Sequence, residues 1–221
     1  MGHAKVESVA CIDNDGDEDQ VWLIVNRYIN GATKRYVEYF TPFTFNDDLT
    51  AFHYLDSGLA YSGGETSTLS GLTHLEGETV DIIGEGSVQT SKVVSSGAVT
   101  IDTPSEEIKI GLLYSSDLQT MRLDEGYTET TQTKTKRVYD LSVRFQNTVG
   151  ASVGPDPDNL TSIDFRDSGA SMDLPVPLFT GDKQIEFDVG HGTEGLIYVK
   201  QSQALPMTIL GIYPRLETES V

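Results

Sequence analysis

The chain has little cysteine, few basic residues and no long apolar run, and each shortage excludes a class of protein. Cys11 is the only cysteine among 221 residues, so no intramolecular disulfide and no site with two thiolate ligands can form. We expect Cys11 to be a small buried side chain at the end of a strand. No stretch approaches the roughly 18 consecutive apolar residues of a membrane-spanning helix, and the first residues lack the apolar run of a secretion signal. The sequence therefore predicts a protein that has no membrane segment and is made in the cytoplasm.

Acidic residues outnumber basic ones by 34 to 15, which gives a formal net charge of −19. A protein that binds nucleic acid or an anionic membrane needs a clustered positive surface. The one basic run, Lys-Thr-Lys-Arg at 134–137, is short, and we interpret it as a solvated edge. The acidity either keeps the protein soluble or forms a surface that repels DNA.

Short alternating apolar segments and frequent turn signals indicate an all-β protein. No window of 11 residues carries the apolar stripe of a helix. Strands predicted at 6–12, 21–27 and 34–40 form a meander, with Asn30-Gly31 as its second turn. Three strands are marginally stable alone, so we expect this meander to pack on another element.

The rest of the chain predicts two further β domains. Between 56 and 116, closely spaced turns such as Ser62-Gly63-Gly64 separate short β-branched segments, among them strands predicted at 99–101 and 108–113, which is typical of a small β-barrel. From 117 to 221, segments such as 184–189 alternate apolar and polar residues, which indicates a β-sandwich. The predicted domains are therefore a meander at 1–55, a barrel at 56–116 and a sandwich at 117–221.

The motifs of common enzyme classes are missing from this sequence. There is no nucleophile elbow, no phosphate-binding loop and no dinucleotide fingerprint. The histidines are too scattered to bind one metal ion. They are His3, His53, His74 and His191. We expect His74, which lies among leucines, to be a hydrogen-bonded structural residue. The sequence predicts no catalytic residue and no cofactor.

One acidic cluster has the composition of a cation site. Asp13, Asp15 and Asp17 follow the first predicted strand, and several carboxylates in a tight turn can bind calcium. The cluster departs from an EF-hand loop because its glycine, Gly16, does not stand at the sixth position and Ile24 occupies the twelfth. The two interpretations are a calcium site at these three aspartates and an exposed acidic hairpin tip.

Four groups of residues, in the same order along the chain, are similar to those of a known phage family. The first group has Trp-x-x-Val-x-Arg ending at Arg27, Ile-Asn-Gly ending at Gly31 and Arg-Tyr-x-Glu ending at Glu38. The second has Leu-Asp-Ser-Gly-Leu at 55–59 and Leu-Thr-His-Leu-Glu-Gly-Glu-Thr-Val at 72–80. The others lie at 99–101 with 108–114, and at 178–183 with 205–210.

These residues resemble the C-terminal part of the tail nozzle, or stabilization, proteins of short-tailed bacteriophages, also called tail tubular protein B-like proteins. The C-terminal halves of that family often carry a small domain named after the FCCH domain of the ubiquitin-activating enzyme. The name implies no ubiquitin chemistry for this chain. The resemblance implies that the meander is what remains of a propeller-like domain and that the chain is a fragment.

The resemblance also implies a function. The expected protein is a structural virion component and not an enzyme, located in the virion tail after synthesis in the host cytoplasm. It would form a homo-oligomeric ring, a hexamer by the resemblance, that continues the DNA channel and joins the adaptor to the fibres or spike. DNA would pass through this ring without specific binding.

Two alternative functions remain open. A module that binds a host glycan or receptor is favoured by the compact barrel and by three tyrosines, Tyr54, Tyr61 and Tyr114, although tyrosines are also common in cores and interfaces. A phage glycosidase or peptidase needs only two facing carboxylates. It has the weaker support because no cluster of aromatic residues surrounds the acids.

Overall fold

The computed structural model describes residues 4–13, 18–42, 48–124, 130–131, 133–187 and 190–218. In those residues the regular structure consists of β-strands and two short 3₁₀ turns, Leu49–Ala51 and Thr73–Leu75. The all-β prediction is confirmed. No helical segment of the described ranges has the length and apolar character that crossing a membrane requires.

Fourteen strands lie in the described ranges and form four antiparallel sheets. They are β1 (Ala4–Ile12), β2 (Gln20–Ile29), β3 (Ala32–Tyr39), β4 (Asp56–Ser70), β5 (Thr79–Gly84), β6 (Ser87–Val93), β7 (Ala98–Leu112), β8 (Ser116–Gln119), β9 (Lys136–Thr148), β10 (Ala151–Asp156), β11 (Asn159–Ile163), β12 (Phe179–Glu186), β13 (Tyr198–Gln201) and β14 (Thr208–Thr218). The chain divides into two compact units, Met1–Tyr114 and Ser115–Val221. The division into three domains at 1–55, 56–116 and 117–221 stays a prediction.

The first sheet is the predicted meander, in the order β1-β2-β3. Asn30 and Gly31 join β2 to β3 with φ angles of 49° and 74°, and Ile29 pairs with Ala32 across the turn. A positive φ at both central residues is the geometry of a type I′ turn, which Asn and Gly adopt more readily than other residues. The Asn-Gly pair therefore sets the register of this hairpin.

The second sheet has the order β4-β7-β5-β6 and corrects the prediction of a small β-barrel. Within the described ranges β4 and β6 do not pair with each other, so the sheet is open. Alternation and turns indicate which side chains are buried, but closure depends on how the two outer strands meet. The strands are also longer than predicted, since β7 is continuous where the sequence predicts two strands at 99–101 and 108–113.

Strand β4 is an element that sequence reasoning missed. It continues through Ser62, Gly63 and Gly64, where the sequence predicts a turn. The pairing of β4 with β7 shifts between Ser62 and Thr66, so the two glycines lie at an irregularity of the ladder. Glycine inside a strand often marks such a bulge.

One apolar core joins the meander to the second sheet. Ile29 at the end of β2 packs in the same cluster as the fully buried Leu75, Val80 and Ile82. Tyr36 of β3 is partly buried and packs against this cluster. The three-stranded meander therefore gains the apolar support that an isolated sheet of its size lacks.

The second unit is a sandwich of two sheets, as predicted. Their orders are β11-β10-β13-β8 and β12-β9-β14. Alternate residues of β9, among them Leu141, Val143 and Phe145, point into the core and meet Val153 of β10. The Phe145 ring packs edge-on against Phe165, with 5.3 Å between the ring centroids. This core is separate from the core of the first unit.

Two side chains contradict their predicted burial. Cys11 is exposed and not buried, because β1 is an outer strand and packs on no layer along that part of its length. Lys136, predicted in a solvated run, is only 2% exposed. Its amine donates a hydrogen bond to the carbonyl of Leu123, and its backbone pairs with Gly192. Lys136 therefore begins β9 inside the second unit.

Candidate functional site

Five polar side chains come together in the first unit, where the meander meets the second sheet. Arg27 lies on β2, Glu38 on β3, Asp56 and Ser57 begin β4, and His74 belongs to the 3₁₀ turn before β5. We call this group the polar cluster. Arg27 and Glu38 come from neighbouring strands of the meander, and the packing of the second sheet against the meander brings Asp56, Ser57 and His74 to them.

Arg27 and Glu38 form the centre of the polar cluster. Arg27 Nε donates to Glu38 Oε1 and Nη2 donates to Oε2, both at 2.7 Å. The Arg27 side chain is 5% exposed and that of Glu38 is 18% exposed. Asp56 Oδ2 lies 3.7 Å from Arg27 Nη1, which is an ion pair longer than a hydrogen bond. The buried guanidinium is therefore balanced by two carboxylates, one of them bound in a fork.

Ser57 and His74 extend the polar cluster but do not form a catalytic pair with each other. Ser57 Oγ donates to Glu38 Oε1 at 3.1 Å, and His74 Nε2 lies 3.0 Å from the backbone oxygen of Ser57. A nucleophilic serine needs a base in contact with its hydroxyl. In this geometry the His74 ring contacts the Ser57 carbonyl, and the hydroxyl is directed to a carboxylate.

Two further hydrogen bonds tie the hairpin of β2 and β3 to the second sheet. The Tyr36 hydroxyl donates to the carbonyl of His74 at 2.9 Å, and the two rings meet edge-on with centroids 6.3 Å apart. At the hairpin turn, the backbone N–H of Asn30 donates to Glu78 Oε1 at 2.9 Å. The polar cluster and these bonds together fix the hairpin on the sheet.

The electrostatics of the polar cluster follow from burial and charge pairing. Burial alone raises the pKa of Glu38, but hydrogen bonding and attraction to Arg27, with help from Ser57, outweigh it and hold the pKa below its ordinary value. Burial acts to lower the pKa of Arg27, and Glu38 and Asp56 outweigh it and raise that pKa. The pair is therefore ionised throughout the physiological range.

A second group of ionisable side chains surrounds the segment before β4. Burial, followed by the charge of Lys109, lowers the pKa of His53. Burial likewise lowers the pKa of Lys109, whose amine donates to the carbonyl of Thr50. Burial and Tyr114 raise the pKa of Tyr54 to about 12. Perturbed pKa values occur at functional sites and also in structural networks, and here the lysine binds the backbone.

The three tyrosines of the glycan-binding alternative do not share one surface feature. Tyr54 and Tyr114 are half-buried neighbours, and the Tyr54 ring stacks on Phe52 with centroids 5.8 Å apart. Tyr61 lies on β4, where its hydroxyl donates to the carbonyl of Gly64 at 2.8 Å and its ring packs against the core. The ring of Tyr61 is therefore part of the packing of its own sheet.

The acidic tip between β1 and β2 lies largely outside the described residues. Asp13 is described and exposed, whereas Asp15 and Asp17 are not among the described residues. In the described ranges, no three residues of the types His, Cys, Asp and Glu are grouped so that they could hold a metal ion. The calcium site at Asp13, Asp15 and Asp17 stays a prediction.

Sequence reasoning missed the polar cluster, although a signal for it was present. Arg27 alternates with Val25 and Ile29 on the buried face of β2. Glu38 likewise lies two residues after Tyr36, on the more buried face of β3. Charged residues at buried positions of two neighbouring strands need each other, because an unpaired charge there is costly. This pattern predicts a pair within the meander but gives no information about Ser57 or His74.

Comparison of the chain with models of known protein families gives no match, and none of the curated protein sequences matches it.

Proposed function

We propose that the chain is a structural, non-enzymatic component of the tail of a short-tailed bacteriophage. In this proposal it belongs to the nozzle, where a homo-oligomeric ring continues the DNA channel and anchors the distal tail parts. The adaptor and the fibres or spike are its partners. The first support is the resemblance of four groups of residues, in order, to the tail nozzle proteins.

The observation that carries the proposal is that residues of these similar groups contact one another in the fold. Arg27 and Glu38 end two motifs of the first group and bind each other. Ser57 and His74, from the second group, join the same polar cluster. The resemblance therefore falls on contacts that hold the unit together. Shared residues of this kind are what a scaffold protein is expected to have in common with its relatives.

A second support is the exposed apolar surface of the meander. Ile24, Val37 and Tyr39 are exposed. Ile24 pairs directly with Val37, and Tyr39 lies two residues after Val37 on β3, so all three side chains are on the same face of the sheet. Contiguous exposed apolar residues often mark contacts with other proteins. A component of a larger assembly needs such contacts.

The charge of the chain fits a DNA conduit. A net charge of −19 repels the phosphate backbone, so a duplex moving along an acidic lumen would not adhere to it. In this proposal the acidic surface lines the channel.

Deletion of the gene from the phage genome that encodes the chain tests the proposal. We expect particles with DNA-filled heads, incomplete tails in negative-stain images and a large loss of infectivity. Complementation with the wild-type gene should restore complete tails. Infectious particles with normal tails from the deletion strain would contradict the proposal.

Complementation of the deletion strain with a gene that encodes Glu38→Gln tests the role of the polar cluster. We expect fewer complete tails than with the wild-type gene, because the variant weakens the fold of the first unit. A gene with Glu7→Gln serves as the control, since Glu7 pairs with Arg35 at an exposed site. It should complement as well as the wild type does.

A further inference from the structure

The meander has two faces, and the second sheet packs on one of them. Val25, Arg27 and Ile29 of β2 lie on this covered face and are each at most 4% exposed. The alternate residues Ile24 and Tyr28 lie on the opposite face and are 40% and 59% exposed. We call this opposite face the open face.

The centre of the open face is apolar. Trp22 pairs with Tyr39, and Ile24 pairs with Val37, so the four side chains form one continuous apolar block. The rings of Trp22 and Tyr39 have centroids 5.1 Å apart. Val37 is 69% exposed and Tyr39 is 51% exposed. An apolar block of this kind on one face of a sheet is typical of the inner face of a sandwich.

One end of the open face is basic. Lys5 of β1 and Arg35 of β3 both pair with Asn26 of β2, so their side chains lie on the open face. Glu7 forms an ion pair with Arg35 at this end. Two cations against one carboxylate leave this end with a net positive charge.

The other end of the open face is acidic. Strands β1 and β2 are joined beyond the pair of Ile12 with Gln20. Asp13 follows β1 directly, Glu18 and Asp19 precede β2 directly, and all three are exposed. The apolar block lies between these carboxylates and the basic end.

This charge distribution identifies a second copy of the chain as a partner that fits the open face. If two open faces pack with their strands running in opposite directions, the basic end of each copy lies over the acidic end of the other. The two apolar blocks then meet at the centre. Packing with the strands in the same direction places like charges together, which is unfavourable. Repulsion between the two chains, each of net charge −19, is largely screened beyond about 8 Å at physiological ionic strength.

We propose that the open face of the meander packs on the open face of a second copy. The two-fold axis lies between the sheets, perpendicular to the strands, and passes between the levels of Trp22 and Ile24. The same surface serves both copies, as a two-fold contact requires. The block is small, so we expect a dissociation constant in the micromolar range or weaker. This inference stands on the meander alone and does not depend on the proposed role in a phage tail.

The first test is sedimentation of the full chain at concentrations up to about 1 mM, well above the expected dissociation constant. We expect the wild type to change from monomer to dimer, and Val37→Lys to remain monomeric. Val9→Lys is the matched control, because Val9 is 60% exposed but pairs with Leu23, on the covered face. It should dimerise like the wild type. The emission of Trp22 should shift to shorter wavelength as the wild type dimerises.

A charge reversal tests the electrostatic part of the contact. Lys5→Glu turns an attraction into a repulsion at both ends of the dimer and should weaken it by about tenfold. Lys92→Glu is the control, because it changes the net charge equally but lies on β6 of the second sheet. It should leave the dissociation constant unchanged.

A distance measurement tests the direction of packing. Thr33 pairs with Tyr28 at the basic end of the open face. Spin labels on Thr33→Cys, in a Cys11→Ser background, should lie about 35 Å apart in the dimer, from the rise per residue and the spacing of packed sheets. Packing with the strands in the same direction would bring them within about 15 Å.

Three results would overturn the proposal. The first is a wild type that stays monomeric at every concentration. The second is a dimer lost in Val9→Lys but kept in Val37→Lys, which would place the contact on another surface. The third is a pair of spin labels within about 15 Å of each other, which would exclude the packing of basic end on acidic end.

Discussion

Arg27 and Glu38 bind each other through two hydrogen bonds of 2.7 Å, and the same carboxylate accepts a third from Ser57 on another sheet. Glu38 is thus shared by the meander and by the sheet that supports it. The apolar contact of Ile29 lies in the same unit. The attachment of the meander therefore depends on one buried charged group as well as on packing.

Glu38→Gln should destabilise the first unit. The amide cannot balance the Arg27 charge, and breaking a buried pair on one side costs about 3 kcal/mol. Urea denaturation followed by tryptophan fluorescence measures this loss, because Trp22 of β2 is the only tryptophan in the chain. We expect a lower midpoint with little change in the slope.

Glu7→Gln is the control for that measurement. Glu7 forms an ion pair of 2.6 Å with Arg35 on the same small sheet, but the Arg35 side chain is 68% exposed. Exposed pairs contribute little to stability, so we expect no measurable shift of the midpoint. Equal losses in the two variants would show that burial of the Glu38 pair has no special importance.

The contribution of Glu38 should depend on pH. The pKa of Glu38 in the folded protein lies below its ordinary value of 4.5, so the folded state binds this proton less readily than the unfolded state does. The stabilisation that ionised Glu38 contributes is fully present above pH 4.5. It is lost as the pH falls through the pKa that Glu38 has in the folded protein. The difference in unfolding free energy between the wild type and Glu38→Gln should therefore shrink below about pH 4.5. A difference that stays constant down to pH 2 would contradict this assignment.

Phe145→Ala should destabilise the second unit by about 3 to 5 kcal/mol, because it removes a fully buried ring and leaves a cavity. Near-ultraviolet circular dichroism during urea unfolding reports the loss. Met172→Ala is the control in the same unit, since Met172 is exposed. Its midpoint should equal that of the wild type.

The chain should not bind duplex DNA. With a net charge of −19 there is no electrostatic gain from counterion release. We expect no mobility shift with a random duplex even at low ionic strength. A shift that disappears on adding salt would indicate a clustered basic surface and contradict the proposed repulsive channel.

Much of the fold follows from local patterns in the sequence. The Asn30-Gly31 turn predicts the meander and the alternation at 184–189 predicts the sandwich, because each pattern reports local geometry or the burial of one face. The open edge of the second sheet was not predictable in this way. Closure depends on contacts between β4 and β6 that no local pattern encodes. The glycines at 63 and 64 were misread because a bulge and a turn use the same residue type.

The polar cluster was harder to predict than the fold. Charged residues on the buried faces of β2 and β3 indicate that Arg27 and Glu38 need partners. The approach of Ser57 and His74 depends on how two sheets dock. The exposure of Cys11 and the burial of Lys136 have the same origin, since both depend on which strands lie at an edge and which are covered.

Immunogold labelling of purified virions tests the central claim most directly. Particles produced from the genome that encodes the chain would be incubated with antibodies against it and imaged by negative stain. The account predicts gold at the distal end of the tail, and peptides of the chain in the purified particles by mass spectrometry. Particles that contain no trace of the chain, or label confined to the head, would contradict it.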